Sequence, residues 1–406
     1  MRQRRVAVTG LGAICALGQN VPEFWKGLCE GQSGIGPIES VDVSGLRFQN
    51  GAEVRGYDPA CYFDSSRMDL LDRFAQFAVL AAREALRDSG AVWTPELRET
   101  TAVVCGSSVG GQNAQDAGFR ELYKLGRGRV HPLSIPRIMA NAGACHISME
   151  FGITGPVYTL STACSSANHA IGLAFRMVGN SEVEMAIAGG SEAPFSLGLL
   201  KAWEAMRVIA PDTCRPFSRD RRGMILGEGG AMLVLEPLEA ARARGAHIHA
   251  EIAGFGMSSD AHHIAQPSVE GPVRAMRAAL RDAGVHPQQV GYINAHGTGT
   301  PGNDATETRA IHEVFGAHTH QLAVSSTKSM HGHALGAAGA LEAVATTVAL
   351  REGILPPTAN FTTPDPECNL DVVPNQARQA KVEFAVSNSF AFGGLNAVLV
   401  FRAHGS

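Results

Sequence analysis

An α/β fold, with helices layered on sheets, is what this chain predicts, and three observations predict it. Short apolar, β-branched runs alternate with segments of helical apolar spacing over nearly the whole length. Each run ends in glycine or in small polar residues of the kind that turn a chain. The second half weakly echoes the first: 252–256 resembles the opening strand and its glycine turn, so a duplicated fold is expected.

The opening strand is expected at 6–9. It follows Met1, Arg2, Gln3, Arg4 and Arg5, and the apolar stretch up to Leu17 imitates a leader peptide. Gly10 and Gly12 break that stretch and no AxA-type site follows, so a buried strand and glycine turn is the better account. These glycines, with Gly18, also miss the GxGxxG spacing of a dinucleotide site, because Cys15 stands where a glycine is needed. Helices are expected at 22–29, stopped by Gly31, at 74–89, stopped by Gly90, and at 135–149. Strands are expected at 101–105, at 183–188 before Gly189 and Gly190, and at 231–235, and a new cycle starts near Ala250. Pro356, Pro357 and 364–368 read as a surface loop before a strand, a glycine-rich turn and a strand over 384–399, a place compared with the turn at Cys164.

Composition bounds the function. A chain of 406 residues with 45% hydrophobic content can bury a large core or two. With 34 basic and 38 acidic residues and no long run of either sign, neither a nucleic-acid groove nor a polybasic membrane patch is indicated. No segment reaches the roughly 18 continuous apolar residues of a membrane span. The 8 cysteines are scattered without a CxxC pair, which points to reduced cytoplasm.

The chemistry centres on 157–177. A strand at 157–160, a break at Ser161 and Thr162, and a helix over 163–177 put Cys164 at a helix N-terminus. Free N–H groups and the helix dipole there favour thiolate, the nucleophilic form, and Ala163, Ser165, Ser166 and Ala167 leave room for a substrate. A small buried hydrophobe is the alternative use of such a cysteine. His296 follows a buried strand and leads into a small-residue loop, where α/β proteins display functional groups. His333 lies beyond another strand with Lys328 just ahead of it, and Ser387 to Gly394 forms a loop suited to offering N–H groups to an oxyanion.

Four stretches, TACSS around Cys164, NAHGTGT around His296, SSTKSMHGHALGAAGALE from Ser325 to Glu342 and SNSFAFGGLNA from Ser387 to Ala397, together resemble the β-ketoacyl-acyl carrier protein synthases of the thiolase superfamily. The resemblance is to the synthase II branch, nodulation-type synthases included, and covers nearly the whole chain. It implies a thiolase-like duplicated five-layered α-β-α-β-α architecture, with a half at 1–250 carrying the nucleophile and a half at 251–406 carrying both histidines. It implies a decarboxylating Claisen condensation in fatty acid or polyketide-type synthesis, no cofactor, and an acyl carrier protein as partner. The assembly is a homodimer or a heterodimer with a chain-length-factor-like subunit.

By the same resemblance Cys164 accepts the acyl chain, the N–H groups of Cys164 and Phe392 hold its oxyanion, and His296 and His333 hold the enolate of the malonyl thioester. Lys328 and Glu342 form a buried pair that orients His333, or else a purely structural ion pair. Asp304 and Glu307 are structural. Thr298 and Thr300 bind the pantetheine arm, Val109 faces the acyl tunnel, and Phe390, Trp203 and Arg207 are further substrate or carrier positions. A monovalent cation at Asn294, Glu342, Ser387 and Asn388 is the metal site that some relatives suggest. Two departures stand out: Ala391 and Leu395 replace a glycine and a threonine of the usual loop, and Arg67 and Arg73 are offset by Asp69 and Asp72 where relatives carry a basic docking patch. Rival motifs are present. Gly106 to Gly110 spells GxSxG with Ser108 as a hydrolase nucleophile, Ser325 to Lys328 spells SxxK without its partner motifs, and His331 with His333 could suggest a metal.

Overall fold

Residues 4–405 are described by the computed structural model; the opening Met1, Arg2 and Gln3 of the leader-like stretch lie outside them. Among the described residues the principal sheet has ten strands. They are β1 (Val6–Cys15), β2 (Thr101–Gly106), β3 (Val157–Leu160), β4 (Met185–Glu192), β5 (Gly229–Pro237), β6 (Ala250–Ser259), β7 (Val290–Asn294), β8 (Ala323–Ser325), β9 (Phe384–Ala391) and β10 (Leu395–Ala403). Their order is β8-β7-β9-β10-β6-β1-β5-β4-β2-β3. Read outward from the central β1–β6 pair, each side repeats one pattern, and in each the two outermost pairings are parallel and the next two antiparallel. The duplicated α/β architecture is therefore present. The antiparallel pair Val8↔Ala250 to Val6↔Ile252 joins the two runs.

The repeat extends to packing. Helix α1 (Arg73–Ser89), capped by Asp72 and stopped by Gly90 in the left-handed region, lies on β1 so closely that a Cβ on Gly10 or Gly12 would collide with the carbonyls of Ala85 or Ala81. In the second half Gly254 and Gly256 meet the backbone around Ala275, Ala279 and Ala283 of α3 (Glu270–Ala283) in the same way. The glycines of the opening strand thus serve helix-on-sheet contact, and the strand runs through them to Cys15.

Two helices fill the layer between the runs: α2 (Ser166–Gly179) and α5 (Ala338–Glu352), the latter buried from Ala338 to Leu350. A helix with apolar residues on every face is buried on every face, and small side chains let both runs of strands approach it. With α1 outside the first run and α3 and α4 (Pro301–Phe315) outside the second, five layers result.

Three expectations need correction. The helix expected at 135–149 is two, Ser134–Ile138 and Ala142–Phe151, because the Ile138 carbonyl accepts the Gly111 N–H (3.2 Å) and the chain extends at Met139. The strand expected at 183–188 is β4, which continues through Gly189 and Gly190 to Glu192; a Cβ on Gly189 would collide with β5, and one on Gly190 with the carbonyls of Gly106 and Gly336. Finally, the β9–β10 turn matches the β4–β5 connection in the repeat; the counterpart of the Cys164 turn is the segment from β8 to α5, which carries Lys328 and His333. No helix among the described residues is long and apolar enough to cross a membrane.

Candidate active site

β3 ends in a turn built from hydroxyls. Ala163 adopts φ +50°, and its carbonyl accepts from Ser108 Oγ (2.8 Å) and Ser166 Oγ (2.6 Å), while Ser166 Oγ takes the Thr162 N–H (2.9 Å). These bonds present Cys164 just before α2, on which Ser166 is the first residue. The N–H groups of Phe392 and of Cys164 itself act on the sulfur, as does the charge of Lys328. They do not make a thiolate. Burial outweighs them and pushes the thiol up to about 11, so the ionised cysteine expected from the helix terminus is corrected to a neutral one.

The loop after β7 is held from below by acids of α4. Glu307 accepts the N–H groups of His296 and Gly297 (both 2.8 Å), and Asp304 those of Gly299 (3.2 Å) and Phe217 (2.8 Å). Thr298 and Thr300 point their hydroxyls at each other (2.8 Å). Lys328 pairs with Glu342, both fully buried, and also donates to the His296 carbonyl (2.7 Å), with its ammonium 3.4 Å from His296 Nδ1. An ammonium only donates, so Nδ1 accepts and the ring proton sits on Nε2. The resemblance had this pair orient His333; the hydrogen bonds instead reach His296.

His333 is fixed by its backbone, its N–H donating to Ile225 (2.7 Å) and its carbonyl accepting from Gly227 (2.9 Å). Its ring stands 5.4 Å from that of His296, nearly perpendicular, and both ring nitrogens lack a hydrogen-bond partner. Burial first, then the Lys328 ammonium, holds both histidines well below the usual imidazole range, so both are neutral. Burial raises the Glu342 carboxyl while Lys328 pulls it back. His331 points elsewhere, its Nε2 3.0 Å from Thr327 Oγ1, and among the described residues no cluster of three metal-ligating side chains exists.

Cys164, His296 and His333 line one cavity of about 240 Å³, together with Thr298, Thr300, Phe390, Phe392 and Arg207. Phe390 lies 6.1 Å from His296, ring to ring. Trp203 and Val109 are outside the lining: Trp203 stacks on Phe392 at 6.2 Å, and Val109 belongs to the turn beside Ala163. Arg207 ends its helix at φ +56° and is exposed. Arg67 and Arg73 are engaged internally with Glu150 (2.5 Å) and Glu228 (2.6 Å). Ala391 closes β9 opposite Leu395 in ordinary extended backbone, and the turn's positive φ values fall on Gly393 and Gly394.

Ser108 is no hydrolase nucleophile here, because its hydroxyl is committed to the Ala163 carbonyl and no histidine serves it as base. Of the oxygens suggested for a cation, Asn294 Oδ1, Glu342 Oε2, Ser387 Oγ and Asn388 Oδ1 are all buried without a hydrogen-bond partner. Asn294 and Ser387 face each other in register, and Asn294 Nδ2 reaches the Glu342 carbonyl (3.5 Å), whereas Asn388 turns its amide to Glu307 (3.1 Å). The first three fit one small cation; Asn388, on the other face of its strand, does not join them. The sequence motifs missed Glu192, a fully buried acid at the end of β4. Its only local signal is a charge closing an apolar strand after two glycines.

Residues 3–241 match the family model described as Beta-ketoacyl synthase, N-terminal domain, and residues 249–362 match its C-terminal domain. The chain is 51% identical to Nodulation protein E of Rhizobium sp. (strain N33), over 98% of this chain and 99% of that one. It is 42% identical to the 3-oxoacyl-[acyl-carrier-protein] synthase 2 of Synechocystis sp., over 100% and 99%. Among solved structures, the ishigamide ketosynthase/chain length factor superposes with a TM-score of 0.95 at 37% identity, covering 99% of this chain and 100% of that one.

Proposed function

The chain belongs to the β-ketoacyl synthase family, and from that premise we propose that its cavity performs both half-reactions of a 3-oxoacyl-[acyl-carrier-protein] synthase. The observation that carries the assignment is the meeting of Cys164, His296 and His333 in one cavity.

In the first half-reaction the Cys164 sulfur attacks the thioester carbon of an acyl carrier protein. The oxyanion rests on the N–H groups of Cys164 and Phe392, the carrier thiolate leaves, and the thiol proton of Cys164 ends on it. A sulfur kept neutral at rest is spared indiscriminate alkylation and must give up its proton as it attacks. In the second, a malonyl thioester puts its carbonyl oxygen between the two neutral rings. Nε2–H of His296 donates to it, and His333 supplies the second donor. The bond to the carboxylate breaks, CO₂ departs, and its electron pair becomes the enolate. The enolate carbon attacks the acyl carbon, and the Cys164 thiolate leaves and takes one proton from solution. Neutral histidines suit this step, since each can donate a proton to an oxyanion without occupying the site as a fixed cation.

Thr298 and Thr300 line the cavity and suit a pantetheine arm; Phe390 and Phe392 form its aromatic side, with Trp203 stacked on Phe392, and Val109 belongs to the acyl tunnel. Lys328 with Glu342 sets the His296 tautomer. Asn294, Glu342 and Ser387 would hold a monovalent cation, which supplies counter-charge to Glu342. The chain divides at 250/251, the first part holding Cys164 and the second both histidines, which the matching β1–β5 and β6–β10 runs support.

The edge strand β3, which carries the exposed Tyr158, is an open edge that a second subunit would cover, and Ile135 and Met149 are exposed apolar side chains as well. That subunit is a second copy or a chain-length-factor-like partner, and likeness to the ishigamide pair keeps both in view. Eight uncombined cysteines support the cytoplasm as its compartment. The experiment is acyl transfer followed by mass spectrometry: an acyl adduct forms on Cys164, and Cys164→Ala abolishes condensation while keeping the fold. Condensation surviving in that variant would refute the assignment.

A further inference from the structure

Glu192 accepts four hydrogen bonds from two different turns. Ser107 Oγ (2.9 Å) and the N–H groups of Ser108 (2.6 Å) and Val109 (3.3 Å) come from one, and the Gly336 N–H (3.0 Å) from the other. The first turn carries Ser108 Oγ, which donates to the Ala163 carbonyl directly ahead of Cys164. The second follows His333 within three residues. The two turns touch: a Cβ on Gly336 would collide with Ser108 N and Glu192 Oε2.

The Cys164 turn that Ser108 braces and the turn at Gly336 each hold a side-chain-bearing residue in the left-handed region. Ala163 (φ +50°) precedes the nucleophile, and Leu335 (φ +44°) lies between His333 and Gly336. Such backbone persists only where its surroundings over-determine it, and it gathers at functional sites. The Glu192 carboxylate is tied to both, to the first through Ser108 and to the second directly at Gly336.

We propose that Glu192 is a positioning residue for both half-reactions, holding Cys164 through Ser108 and Ala163 and holding His333 through Gly336. Burial raises its carboxyl and the four hydrogen bonds pull it back, and since all four partners donate, the arrangement suits the ionised form. That buried negative charge also works against ionisation of Cys164. The assignment rests on the synthase reading only for its activity measurements.

Glu192→Gln keeps the shape, removes the charge and turns one acceptor into a donor facing N–H groups. The pH midpoint for iodoacetamide alkylation of Cys164 should move down, and acyl loading and malonyl decarboxylation should both fall about tenfold. In Ser108→Ala, which loses only the bond to Ala163, loading should fall about tenfold with decarboxylation and the alkylation midpoint unchanged. Thermal melting checks that each variant folds, and should Glu192→Gln fail to fold, Ser108→Ala decides. An unmoved midpoint in folded Glu192→Gln, or loading at the parent rate in Ser108→Ala, overturns the proposal. The alkylation midpoint needs no substrate, so it tests Glu192 separately from the synthase reading, which stands or falls with Cys164→Ala.

Discussion

The Lys328 ammonium lies 2.7 Å from the His296 carbonyl oxygen and 3.4 Å from its Nδ1, so one buried cation fixes both the loop and the tautomer of the His296 ring. The same ammonium is the partner of Glu342, so its loss has two separable consequences.

Lys328→Met should leave the buried Glu342 uncompensated and cost about 3–5 kcal/mol of stability. Malonyl decarboxylation should fall roughly 10²-fold, the scale of one lost oxyanion donor, while acyl loading of Cys164 survives. Adding Glu342→Gln should restore much of the stability in denaturant unfolding without restoring CO₂ release. Recovery of both would reduce Lys328 to a structural role.

His331 makes a pH dependence readable. Burial holds its imidazole down to about 3, so the unfolded chain, in which it titrates near 6.5, binds more protons as the pH falls between those values. Its contribution is fully present above pH 6.5 and is lost on acidification by about 1.4 kcal/mol per pH unit. The stability difference between the parent and His331→Gln should therefore narrow by that slope from pH 6.5 to 5, measured by urea unfolding. A constant difference would mean His331 titrates alike in both states.

Arg207 stands exposed at the cavity, while Arg73 is spent on Glu228. Arg207→Glu should raise the apparent KM for the carrier protein about fivefold or more, an effect that shrinks in high salt, with kcat little changed. Arg73→Gln should lower the melting temperature and leave KM alone. An unchanged KM in Arg207→Glu would move the docking site elsewhere.

Val109 lies beside the Cys164 turn yet outside the cavity that opens on the histidines. Val109→Phe should shorten the longest acyl chain that loads onto Cys164, read from adduct masses over a series of acyl carrier thioesters. Equal chain lengths in variant and parent would place the acyl tunnel away from this residue. Each methylene excluded from a packed pocket is worth about 1 kcal/mol, enough to show as a sharp cut-off.

Much of this protein is local in origin and legible in its residues. Period and turn chemistry mark the start of β1, α1 with its Gly90 stop, and the strand, turn and helix around Cys164. The four motifs point to the groups that meet in the cavity, because each must follow a strand end to be displayed. What the sequence leaves open depends on sums over residues distant in the chain. Desolvation by five packed layers keeps Cys164 neutral although a helix terminus and a lysine favour its ionisation. The carbonyl of Ile138 is claimed by Gly111, which splits a helix that periodicity draws as one. Lys328 turns to His296 and Glu192 binds two turns from opposite halves only because the duplicated sheets bring them together. Periodicity and capping act within a few residues of chain, whereas burial and charge act through space.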